Sequence, residues 1–145
     1  MNNKLLPIFA SILVIFCSCQ KEGNSDSKKE LLTRNSWVIE KAEEKDGANS
    51  WVDTFPYWQA CKKDDKWIFR SNFSMELNEA ANACSGQVPN QILDIVTWAF
   101  AQNETKIRIE DVTFLIETLD ENKLIISTSE LSGGIQYQTK ITFGH

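Results

Sequence analysis

The side chains in this sequence with chemical potential are Cys17, Cys19, Cys61 and Cys84, His145, and the adjacent acid pairs Glu43-Glu44 and Asp64-Asp65. Nucleophilic catalysis by serine or cysteine needs a base beside the nucleophile. With His145 the only histidine, no Ser-His or Cys-His pair is expected. Zinc takes closely spaced cysteine or histidine ligands, which Cys61 and Cys84, 23 residues apart, and the terminal His145 do not supply; a glycine-rich phosphate loop is also missing from the sequence. Adjacent acids could exchange protons or hold a cation, but neighbours along a strand point to opposite faces. Asp64-Asp65 is therefore expected to be a solvated beginning of a strand. The reading is of a protein that is not an enzyme, with no metal and no cofactor.

The elements that must position these residues follow from composition and pattern. A chain of 145 residues with 42% hydrophobic residues, five Trp and eight Phe has the makeup of one globular domain. The net charge of −5, with no basic block longer than Lys62-Lys63, lacks the footprint of a nucleic-acid binder. Ile135, Tyr137, Thr139, Ile141 and Phe143 alternate with polar residues, which predicts a strand with one apolar face. Shorter runs around Trp67 and Phe69, around Phe73, Met75 and Leu77, around Ile107 and Ile109, and around Leu124 and Ile126 predict further strands. Breaks at 70–72, 102–104, 120–122 and 132–134 read as hairpin turns, which makes an antiparallel meander. Only Lys28 to Thr33 and Asn78 to Ala83 favour helix, and both are too short to cover a sheet. An eight- or nine-stranded meander must then protect its own edges, by closing into a barrel or by packing as two sheets. Periodicity leaves both open.

The amino terminus is laid out differently. Lys4 is followed by the apolar run Leu5 to Phe16, about 18 Å long as a helix against a hydrocarbon layer of about 30 Å, which fits a signal-peptide core better than a membrane span. The Phe16-Cys17-Ser18-Cys19 that follows resembles the lipobox of bacterial lipoproteins, in which a small residue precedes the cysteine that receives lipid. Ser18 fits that position before Cys19, whereas lipid on Cys17 would require bulky Phe16 there. The resemblance implies a signal peptide over 1–18 and lipid attachment at Cys19. A polar, flexible tether over 19–30 is expected next. Gln20-Lys21-Glu22 also resembles the short signal that sends some Bacteroidetes lipoproteins to the cell surface, and a solvated linker reads equally well. Export to the bacterial outer membrane, on its periplasmic or surface face, follows.

With Cys17 removed and Cys19 lipidated, Cys61 and Cys84 are left in an oxidising compartment and are expected to pair. Closing a loop of about 24 residues would stabilise the fold by about 3 kcal/mol on the chain-entropy account. Two separate buried thiols are the alternative. Trp51 to Trp58 (WVDTFPYW) has four aromatics without alternation and reads as a loop. Trp51, Tyr57 and Trp58 are its surface candidates, for a lid or a sugar-stacking platform; plugging one end of the core is the plainer role.

The run Leu31 to Ile39 with Trp37, the segment Cys61 to Phe69 with Asp64-Asp65, then Cys84, then Thr97 to Phe100 together resemble the lipocalin-like domain of Bacteroidetes lipoproteins. The likeness spans 31–143. Ser36 and the turn Arg70-Ser71-Asn72 depart from its usual small residues, which are local turn changes. What the resemblance implies for 31–145 is an all-β antiparallel barrel with a short N-terminal helix. A barrel of eight strands is wide enough for one small ligand or for filling by side chains. Trp37, Trp67, Phe69 and Trp98 are the expected ligand lining. The function expected is a membrane-anchored binding domain for a small apolar or amphipathic ligand. The rival is a filled barrel that contacts a glycan or a partner protein through Trp51 to Trp58.

Overall fold

The period-two run at the carboxyl end forms β9 (Ile135–Gly144), and its partners show what the alternation is for. Phe143 lies opposite Leu124 and Ile141 opposite Ile126 on β8 (Leu124–Ser132); on the other side, Phe143 lies opposite Ile39 on β1 (Trp37–Asp46). All of these side chains share the inward face, because register places every second residue together. The computed structural model describes residues 27–145. The expected signal peptide, Cys17, Cys19 and the start of the tether lie outside the described residues.

Between β1 and β8 the chain forms β2 (Val52–Asp53), β3 (Lys66–Phe69), β4 (Ser74–Asn78), β5 (Ile92–Ala101), β6 (Lys106–Ile109) and β7 (Val112–Leu119). From β3 to β9 each strand pairs with the next, β3 also pairs with β1, and β9 returns to β1. All the pairings are antiparallel. The result is a closed eight-stranded barrel, with β2 as a ninth strand on the free edge of β1. Closure removes the exposed edges that a meander would otherwise present. Bulges in β1, β5 and β7 interrupt the register and bend the wall. At the β1–β9 seam the exposed Glu40 side chain lies over Gly144, where a β-carbon would require it to swing aside. Gly133 and Gly134, both at positive φ, form the two-residue hairpin between β8 and β9.

One end of the barrel is filled. The helix α1 (Lys28–Arg34) begins with a capping box, in which the Ser27 side chain accepts from the Glu30 backbone N–H and the Glu30 carboxylate accepts from that of Ser27. Its first turn takes in Lys28 to Glu30, the last residues of the expected tether. Leu32 is buried against the core, and its carbonyl accepts from the Trp37 indole N–H at 2.9 Å. Trp37, Phe69, Trp98, Ile107, Leu124, Ile126 and Phe143 pack beneath it. The His145 ring lies 4.1 Å from that of Trp37, with its nitrogens 2.8 and 3.0 Å from the carbonyl oxygens of Ser36 and Glu121.

Two local expectations change. Asn78 to Ala83 is not helical: the Glu79 N–H bonds the Gln91 carbonyl and the Asn90 N–H that of Ala80, so the backbone continues the β4–β5 pairing loosely. Phe73 sits in the β3–β4 turn with φ at 67° instead of on β4, half-exposed and under the Lys29 ammonium at 4.1 Å. No helix among the described residues is long and apolar enough to cross a membrane.

Candidate functional site

The disulfide between Cys61 and Cys84 forms, with the two Cα atoms 5.1 Å apart. Cys61 lies in a single 3₁₀ turn, Ala60–Lys62, and Cys84 in the irregular stretch after β4. The bridge therefore draws the segment carrying Asp64-Asp65 against the loop carrying Glu79. Asp64 Oδ2 accepts the Asn82 backbone N–H at 3.0 Å, and Glu79 Oε1 accepts that of Cys84. Three carboxylate oxygens remain buried without a partner: Asp64 Oδ1, Asp65 Oδ1 and Glu79 Oε2.

This corrects the expectation of a solvated Asp64-Asp65. Asp65 is 8% exposed and Glu79 is 0% exposed. The reason is tertiary: alternation along one strand predicts opposite faces, but the disulfide packs a second segment over the face that would have met water. Burial, reinforced by the negative charges of Glu79 and Asp64, holds the Asp65 carboxyl above its ordinary range; Lys62 and the Ala80 backbone N–H act the other way.

Beside the two buried carboxylates opens a cavity of about 180 Å³. Its apolar wall comes from the barrel's strands: Ile39 on β1, Trp67 on β3, Leu77 on β4 and Leu93 at the β5 bulge. Trp58, Lys62, Asp65, Glu79 and Gln87 complete it. Trp58 follows the 3₁₀ turn Phe55–Tyr57, where Pro56 fixes the backbone, and packs edge-on to Phe55 with ring centres 5.7 Å apart. Apolar walls with a few buried polar groups are the usual makeup of a small-molecule site. Among the described residues no group of three or more His, Cys, Asp or Glu is placed to hold a metal ion.

The residues expected to line a cavity divide. Trp67 borders it. Trp37, Phe69 and Trp98 are packed into the core at the α1 end, none more than 2% exposed. Phe69 meets Trp98 edge-to-face at 5.7 Å, and the Trp98 indole N–H is shared between the carbonyls of Arg70 and Ser74. Their size is used to fill the barrel beneath the helix, which leaves the cavity at the disulfide end.

The three aromatic candidates point to three places. Trp51 lies partly buried beneath the Lys45 and Lys140 ammonium groups, at 5.5 and 4.9 Å, and borders a groove of about 430 Å³ with Lys106, Leu115, Ser127, Ser129 and Gln138. Tyr57 is 85% exposed. Trp58 faces the cavity, and Val52-Asp53 between them is a strand, so the stretch read as a loop is an edge strand followed by a turn. A third depression, of about 600 Å³, runs open along Val52, Thr54, Glu44 and Tyr137.

Sequence reasoning missed Glu79 and Leu93. The signal for Glu79 was present in combination: a cysteine three residues before Asp64-Asp65 and another five residues after Glu79 bring the acids together once the disulfide is drawn. No family model matches the chain, and no curated protein matches it significantly.

Proposed function

We propose that this chain is a lipid-anchored, lipocalin-like domain that binds a small apolar or amphipathic ligand, held on an exported membrane face through Cys19, and that it is not an enzyme. The single observation that carries the reading is the cavity of about 180 Å³ whose apolar wall is built by four barrel strands. A cavity of about 150 Å³ lined by apolar side chains already takes a benzene-sized molecule. The anchor rests on the apolar run, Ser18 and Cys19 of the sequence, and the Cys61–Cys84 disulfide agrees with an oxidising compartment. Native mass spectrometry of the protein purified from its host is the test for ligand binding: a bound small molecule, lost when Leu77→Trp fills the cavity, is the expected result. A protein that is always empty in that experiment defeats the reading. For the anchor, fatty-acid labelling should disappear in Cys19→Ala, and equal labelling refutes lipidation.

A second reading is favoured by Trp51. The groove beside it sets an aromatic ring among hydroxyl, amide and ammonium groups, which suits a sugar face and its hydroxyls. On that reading the protein contacts a glycan at its surface. Glycan-array binding lost in Trp51→Ala, with small-molecule binding at the cavity unchanged, would select it.

A further inference from the structure

The geometry points to a small organic cation, an ammonium carried on an apolar body about the size of one aromatic ring, as the ligand of the cavity beside Asp65 and Glu79. This rests on the small-ligand reading and specifies its chemistry. Two independent features converge. The first is the pair of carboxylates: Glu79 is wholly buried, Asp65 nearly so, and each keeps one oxygen without a hydrogen-bond partner. Native proteins leave few such atoms, because an unmade bond to a buried charged group is expensive. An ammonium donates several N–H bonds and neutralises the charge that burial opposes.

The second feature is the rest of the wall. Trp58 and Trp67 present aromatic rings, and Ile39, Leu77 and Leu93 present aliphatic surface. Indole faces attract cations, most strongly where water is excluded. A bare metal ion would leave this apolar surface unused, and among the described residues no group of three or more His, Cys, Asp or Glu is placed to hold one. An anion would meet two buried carboxylates. Exposed Lys62 also borders the cavity, but one lysine against two acids leaves the wall net negative.

The experiment titrates the oxidised protein with benzylammonium, benzyl alcohol, benzoate and calcium chloride, followed by two-dimensional amide NMR and tryptophan fluorescence. Benzylammonium should bind at least about tenfold more tightly than benzyl alcohol, with benzoate weaker than both. Asp65→Asn with Glu79→Gln should abolish the ammonium-over-alcohol ratio and leave alcohol binding in place, with circular dichroism confirming the fold. Trp58→Leu, outside the buried acid pair, should lower ammonium binding by about threefold more than alcohol binding. Equal affinity for ammonium and alcohol in the wild type, or a ratio that survives the double substitution, overturns the cation while leaving a small-ligand cavity. Calcium that displaces benzylammonium at lower concentration makes the site a metal site and overturns it also. Binding of neither alcohol nor ammonium removes both the inference and the cavity reading beneath it.

Discussion

Replacing Cys61 and Cys84 together by alanine tests the element that builds the candidate site. The bridge joins residues 23 apart in sequence. Freeing a loop of that length returns about 11.5 cal/mol/K to the unfolded chain, or about 3.4 kcal/mol at 25 °C. For a domain of about 120 residues with the usual unfolding entropy, the same loss lowers Tm by roughly 13 °C. Urea unfolding at neutral pH should show the lower stability, with a somewhat larger m-value because the unfolded chain exposes more surface once uncrosslinked. Wild type unfolded under reductant should converge on the variant, which separates the bond from the side-chain change. The cavity should fail along with it, since the bridge holds the Asp64–Asn82 and Glu79–Cys84 contacts in register. A loss below about 1 kcal/mol would refute the reasoning, because the loop would then be closed by something other than the bridge.

Three further outcomes follow from the fold. Because Asp65 is held above its ordinary range, the folded protein binds that proton more tightly than the unfolded chain, so stability should fall as pH rises from the ordinary carboxylate range through the raised value. Asp65→Asn should flatten that fall in urea titrations at stepped pH; an unchanged slope argues against an Asp65 carboxyl held above its ordinary range by burial. Ser27→Ala removes the N-cap of α1 and should cost about 1 kcal/mol, with amide exchange speeding first in Lys28–Arg34; a slowdown there, or no change, would mean the helix does not depend on its cap. Trp37→Ala should cost about 3–5 kcal/mol by thermal or chemical unfolding. Tyr57→Ala, in contrast, should stay within about 0.5 kcal/mol, and comparable losses for the two would contradict the assigned burial.

Much of the barrel is legible in the chain because most of its strands expose one face to water and one to the core. β9 carries that alternation in its residue types, although Ile135 and Tyr137 at its start are exposed, and its hairpin with β8 is marked by Gly133-Gly134. The same signal fades where the wall bends: a bulge at Glu117 breaks the period of β7, and one near Leu93 breaks that of β5. Phe73 and the Asn78–Ala83 stretch were misplaced for a related reason, since side-chain type there suited an element that the turn geometry and the β5 partner did not permit.

By itself, the sequence determined the all-β class, the hairpin turns at 70–72, 102–104, 120–122 and 132–134 and the short leading helix, and its cysteines made Cys61–Cys84 the expected pair. These are set by local spacing and by which residues are present. The β6–β7 turn at Glu110-Asp111 went unmarked. Only the tertiary structure decided that the meander closes, because closure depends on β9 reaching β1 across the whole chain. Only the structure decided which tryptophans fill the core and which two face the cavity, since α1 occupies one end of the barrel and leaves the other to Trp58 and Trp67. The burial of Asp65 and Glu79 belongs to the same class of fact: it arises where a disulfide lays one segment over another, and no period along either segment encodes it.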